Sequence, residues 1–178
     1  MSIFSNPRGE ARENAGRVVQ ALLDLLADRK PLDVLGETPD WLAARLAATP
    51  RARLMAPEAP GKWSVAAVIA HLADAELVIG TRSRFIVGDI EPILVGFDQD
   101  RWAAEFGYLH RDPMEALDDF TAVRAMNLRH WQRLTPTQWN RVGQHSERGP
   151  TTAELNLRIA AGHDLVHRAQ VERILAGR

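Results

Sequence analysis

Apolar residues recur along most of this chain at intervals of three and four, and Pro/Gly breaks interrupt the pattern. No run of Val, Ile and Thr with period two stands out, so the spacing predicts helices and no strands. Asn6 can cap a first helix with Pro7 at its opening position; Val18, Leu22, Leu25 and Leu26 follow at helical spacing, and Pro31 and Gly36 end it. Thr38-Pro39 opens a short segment, Trp41 to Ala48, closed by Pro50, and Arg51–Lys62 with Pro57, Pro60 and Gly61 reads as a loop. Ser64 is a good N-cap, with Trp63 placed to staple onto Val68. The helix after it lines up Val65, Val68, Leu72, Ala75, Ile79 and Ile86 and stops near Gly88.

Residues 89–112 form a long connection with Pro92, Gly96, Gly107 and four aromatics, Phe97, Trp102, Phe106 and Tyr108. Long connections inside compact domains are usually functional or partly structured. Asp112-Pro113 with Glu115 starts a further helix through Phe120, Val123, Leu128 and Trp131 to about Leu134. A turn at Pro136–Trp139 and a loop at His145–Pro150 lead to Thr151-Thr-Ala-Glu154, a capping box for a last helix reaching Leu175. The prediction is one all-α domain over 1–178: a four-helix bundle with short extra helices and a long connection between its second and third long helices. Bundle cores are a usual place to build metal sites.

Composition narrows the chemistry. Apolar residues at 46% and charged ones at 25% are ordinary for a folded protein. With no cysteine there is no disulfide, thiolate metal site or thiol nucleophile, so any metal must be held by His, Asp or Glu. Lys30 and Lys62 are the only lysines among 22 basic residues; the arginines are scattered among 23 acidic ones, which reads as a composition bias. At a net charge of −1, with no basic cluster interleaved with aromatics, a nucleic-acid partner is not expected. Met1–Arg17 is polar and resembles no signal or transit peptide, and no apolar run reaches the ~20 residues of a membrane span. A cytoplasmic protein without a membrane partner is the expectation.

The sharpest local signal is Gly162-His163-Asp164-Leu165-Val166-His167. At one turn's separation the two histidines stand about 40° apart, so both rings can reach one point. They share a face with Asn156, Ile159, Gln170 and Ile174. Such a pair suits Zn, Ni, Fe or Cu, or it is two partly buried histidines bonded to carbonyls. Asp164 stands where a metalloprotease helix would carry Glu, and its shorter arm argues against that mechanism. A third candidate, His71, sits beside the Val68/Ala75 stripe, with Asp74 one turn on as a group that could orient a ligand or water. Glu76 stands about 140° round the helix from His71, too far for both to reach one ion.

Other residues carry two readings each. His145 either overhangs the site as a proton shuttle or is a surface loop histidine. Asn156 and Gln170 either touch substrate or cap backbone groups. Arg82, about 20° from His71 and three turns on, either binds an anionic substrate or pairs with a bundle carboxylate. Trp102 and Phe106 are candidates to cover the pocket, while His110 and His130 read as solvated.

Pro60-Gly-Lys-Trp-Ser-Val-Ala-Ala-Val-Ile-Ala-His-Leu-Ala-Asp-Ala-Glu76, then Arg82, then Ala161-Gly-His-Asp-Leu-Val-His-Arg-Ala-Gln170 resemble the DinB/YfiT-like superfamily. The resemblance covers nearly the whole chain and implies a four-helix bundle. It also implies a divalent metal (Zn, Ni or Fe) on His71, His163 and His167. Three neutral imidazoles leave coordination positions for water or substrate, the arrangement of catalytic sites. Some members of the family are thiol S-transferases, so the resemblance implies a metal-dependent thiol S-transferase or hydrolase acting on a small molecule. A low-molecular-weight thiol would be the co-substrate in the first case. The alternative is a non-catalytic metal-binding stress-response bundle working through association; homodimers are expected either way.

Overall fold

The computed structural model describes residues 11–177. Its helices are α1 (Ala11–Leu26), α2 (Pro31–Ala47), α3 (Arg51–Met55), α4 (Val65–Gly88), α5 (Gln99–Glu105), α6 (Pro113–Trp131), α7 (Pro136–Trp139) and α8 (Ala153–Ala176). A 3-10 turn covers Tyr108–His110, and three short strands are β1 (Ile93–Leu94), β2 (Val142–His145) and β3 (Gly149–Thr152). Helices α2, α6, α4 and α8 pack in a closed ring, each against the next, and α1 lies outside it against α8. The ring is the four-helix bundle. The proposed Asn6 cap lies outside the described residues.

Several boundaries differ from the sequence reading. The first helix ends at Leu26, with Ala27 left-handed at φ 49°, well before Pro31. Pro31 then opens α2, which runs on through Gly36 and Pro39. A proline inside a helix normally ends or kinks it, because it cannot donate to the carbonyl one turn back. Here that carbonyl, on Leu35, accepts instead from Nη1 of Arg124 at 2.7 Å. A tertiary contact replaces the missing local one, and α2 becomes a bundle helix. Arg51–Met55 is helical too, although the sequence reads there as a loop.

Two of the helix starts are capped as expected. The Ser64 hydroxyl accepts from Ala67 N, and Asp112 accepts from Met114 N and Glu115 N ahead of Pro113. The last helix starts one residue later than expected: Thr152, not Thr151, is the cap and accepts from Leu155 N, so Glu154 closes no capping box. The α1–α8 crossing is tight. A Cβ on Gly162 would lie 2.4 Å from the Leu22 carbonyl oxygen, so this approach requires glycine.

The strands are a correction. β2 and β3 pair antiparallel, and β1 adds parallel to β2 with Leu94 opposite His145. The long connection supplies β1, and its carbonyls at Pro92 and Leu94 accept from Gln144 N and Ser146 N. The sheet therefore ties the connection to the segment before α8. Among the described residues no helix is long and apolar enough to cross a membrane.

Candidate metal centre

Three seams of buried residues at alternating three- and four-residue steps face the bundle axis. On α4 the seam is Ile69, Leu72, Glu76, Ile79, Ser83 and Ile86; on α6, Leu117, Phe120, Arg124, Asn127 and Trp131; on α8, Leu157, Ala160, Asp164, His167, Val171 and Ile174. Such steps keep one face of each helix on its neighbours. The charged residues in these apolar seams meet. Arg124 donates from Nη1 to Asp164 Oδ2 at 2.7 Å, and from Nη2 to Asp164 Oδ1 at 3.0 Å and Glu76 Oε2 at 2.8 Å. Asn127 Nδ2 closes the cluster on Glu76 Oε1 at 2.8 Å. Two carboxylates against one guanidinium leave a buried net charge of −1.

Next to this cluster the structure brings together His71, His163 and His167. Nε2 of His163 stands 3.1 Å from Nε2 of His71 and 3.1 Å from Nε2 of His167. One nitrogen from each ring lies within 4.8 Å of the other two. His71 and His167 are buried; His163 is half-buried and faces the approach from solvent. Burial holds the imidazoles of His71 and His163 well below the usual histidine range, and the neighbouring rings push the same way. His167 is lowered to about 4, chiefly by burial, against a partial rise from its Gln170 hydrogen bond and the Asp164 charge. All three are therefore neutral bases at pH 7.

Neutral imidazoles in this arrangement cannot satisfy one another. A ring nitrogen offers one in-plane lone pair or one N–H. Nδ1 of His167 donates to Gln170 Oε1 at 2.8 Å, which leaves a lone pair on its Nε2. His163 Nε2 can serve one neighbour and not both, so at least one 3.1 Å approach has no proton to bridge it. A divalent cation resolves the conflict. Zn–N bonds of ~2.0–2.1 Å in a tetrahedral site separate the nitrogens by about 3.3 Å, close to the two 3.1 Å separations at His163. Three nitrogen donors, one oriented by a second partner and all beside a buried negative charge, fit a borderline metal such as zinc.

The remaining candidates fall into place differently. Asp74 is half-buried and accepts from the Tyr108 hydroxyl at 2.6 Å. Tyr108 is held protonated well above its usual range, first by burial and then by Asp74. Asn156 Nδ2 donates to Ile79 O at 3.1 Å, so its amide caps a buried backbone carbonyl. Gln170 takes its place on a histidine. Arg82 donates to the carbonyl of Val95 at 2.5 Å and pairs with no bundle carboxylate among the described residues. His145 is a buried strand residue, with Nδ1 accepting from Glu147 N at 3.2 Å, so the loop-surface reading fails.

Phe97, 6.4 Å from the His71 ring, stands nearer the triad than Trp102, which stacks behind it at 4.6 Å with Phe106 beyond at 5.3 Å. Trp63 covers the other side of His71 at 5.0 Å. His110 is exposed as expected, but His130 is half-buried, with Nε2 3.1 Å from Ser83 Oγ. The reading by residue type missed Arg124, the charged core of the bundle, because its neighbours made it one more scattered arginine. Its place between Phe120 and Asn127 on a three-four seam is the signal that finds it.

Residues 34–171 match the DinB superfamily. The chain belongs to that superfamily. A relative from Oceanobacillus iheyensis, named "Putative metal-dependent hydrolase OB0782", is 29% identical over 115 residues, 62% of this chain and 64% of that protein. A second from Geobacillus thermodenitrificans, "Putative metal-dependent hydrolase", is 34% identical over 67 residues, 38% of each. The matched part thus spans just under two thirds of the first relative's length and well under half of the second's. Among solved structures, YfiT from Bacillus subtilis superposes with a TM-score of 0.67 at 20% identity, covering 93% of this chain and 89% of its own. Its description is "a probable metal-dependent hydrolase with an unusual four-helix bundle topology". That likeness supports the DinB bundle fold seen here.

Proposed function

We propose that this DinB-superfamily protein is a metal-dependent hydrolase of a small molecule, built on a divalent ion held by His71, His163 and His167. The observation that carries the reading is the pair of 3.1 Å contacts at His163 Nε2, which no single proton on that atom can bridge together. The hydrolase names of its relatives support the reaction class. A divalent ion on three neutral imidazoles supplies Lewis acidity toward a water or a carbonyl. Each protein group then has a part. Gln170 fixes the His167 tautomer, and Trp63 and Phe97 keep water from the His71 ring. The Glu76–Arg124–Asp164 cluster offsets part of the charge of a bound cation. Half-buried His163 leaves that side of the site open to a substrate.

Elemental analysis of protein purified without a histidine tag tests the first step. One equivalent of divalent metal is expected, lost in His163→Ala with helicity retained. Substoichiometric metal that the substitution leaves unchanged would refute the proposal. Ester and amide substrates, run beside an electrophile plus bacillithiol, mycothiol or glutathione, separate hydrolysis from thiol transfer. Turnover only in the thiol series would assign the second chemistry to the same three histidines.

A further inference from the structure

Near the β2–β3 hairpin, three buried polar atoms have no hydrogen-bond partner among the described residues: Nε of Arg82, Nε of Arg148 and Nε2 of His145. The sheet gathers them. Leu94 pairs with His145, Arg82 is bonded to the next carbonyl at Val95, and Arg148 lies in the turn that leads into β3. Arg148 also lines a cavity of about 250 Å³ with Val19 of α1, Leu155 and Ile159 of α8, and Glu147. Ile159, on this lining, is one turn before His163 on the same helix.

The electrostatics of this corner are unbalanced. Burial lowers both guanidinium groups to about 10, and the Arg148 charge bears on Arg82, His145 and His163. Glu147 acts on both arginines from a distance, and no carboxylate lies within ion-pair reach of either among the described residues. Burying guanidinium groups without a paired anion is costly. Two of them around one carboxylate leave a positive corner, and the guanidinium fork matches carboxylate and phosphate oxygens.

We propose that Arg148, supported by Arg82 and His145, forms an anion-binding subsite on the wall of this cavity, so that the small molecule acted on at the triad carries a carboxylate or a phosphate group. The link to the triad rests on the hydrolase reading above; the subsite itself does not.

The test titrates inorganic phosphate and acetate into the whole protein by calorimetry at low ionic strength, metal-free and zinc-loaded, with acetamide as the neutral control. At least one anion binds in both states and acetamide does not. Binding weakens about tenfold or more in Arg148→Gln, the effect expected for losing a charge-assisted hydrogen bond, and Arg148→Lys restores part of it. The tighter of the two anions names the group. Circular dichroism and zinc stoichiometry are read on every variant. Equal binding in Arg148→Gln and wild type, binding confined to the zinc-loaded form, or no binding of either anion would overturn the subsite. The zinc measurement keeps the two readings apart. Loss of zinc binding with intact Arg148-dependent anion binding leaves the subsite standing and removes the metal centre. Retained zinc with anion binding indifferent to Arg148 does the reverse.

Discussion

Replacing Arg124 with Met keeps an unbranched apolar stem and removes the guanidinium and its charge from the middle of the bundle. Arg124 is 1% exposed, Glu76 2% and Asp164 1%, so no water is available to take over its four hydrogen bonds to Asp164, Glu76 and Leu35 O. Removing one partner of a buried ion pair costs about 3–5 kcal/mol, because the remaining charge stays buried without compensation. Two carboxylates are orphaned here, together with the Leu35 carbonyl that Pro39 cannot serve, so the upper half of that range is expected. Total stabilities of about 5–15 kcal/mol leave the variant measurable. The assay is chemical denaturation of chelator-treated protein, which removes any contribution from metal binding. Arg45→Met is the comparison: its pair with Glu172 is 33% and 54% exposed, and such pairs are worth about 1 kcal/mol or less. Adding Glu76→Gln and Asp164→Asn to Arg124→Met should recover at least half of the loss, since the triple variant buries no unpaired charge. If Arg124→Met cost no more than Arg45→Met, or the triple variant were less stable than the single, the buried-charge account would be wrong.

Two further outcomes follow from groups around the site. Gln170→Leu removes the acceptor that fixes the His167 tautomer, and should weaken zinc binding about 10–100-fold with the fold intact; competition with a chromophoric chelator reads this, and unchanged affinity would place Gln170 outside the site's function. His145, lowered to about 3 from an ordinary 6.5 by burial and then by the charges of Arg148 and Arg82, gives a pH dependence with a definite sign. Its unfolded form takes up the proton first, so its contribution is complete above about pH 6.5 and is lost as pH falls toward about 3. His145→Gln should therefore flatten the stability–pH curve in that window by up to one proton's slope, measured by denaturation at a series of pH values; identical slopes would contradict it.

How much of this was visible in the chain depends on whether a feature is set locally. Ser64, Asp112 and the His163/His167 pair are settled within one turn of helix, and each stands in the structure as its spacing implies. The passage of α2 through Pro39 is settled by Arg124, 85 positions away, and no local rule reaches it. The hairpin is similar. Val142–His145 and Gly149–Thr152 are four residues each, with Gly143, Gly149 and Pro150 breaking any strand-like run, and the first pairs with β1 from a different part of the chain. Arg82 reads in the sequence as an anion binder or a partner for a bundle carboxylate, but nothing local ties it to Arg148, 66 positions on.

The seams explain why the metal centre and the ion cluster come as a unit. His71 and Glu76 are five residues apart on α4, and His163, Asp164 and His167 fall within about one turn of α8. Sliding α8 by one turn, about 5.4 Å, would pull His163 and His167 away from His71 and Asp164 away from Arg124 together. An apolar seam tolerates such a slip, because Leu, Ile and Ala positions repeat along it. Charged groups at single seam positions do not, since each misplaced one is left buried and unpaired. The residues that make this bundle costly to misalign are therefore the neighbours of those that would hold its metal. Conversely, an ion bound across α4 and α8 would fix the same register that Arg124 fixes across α4, α6 and α8.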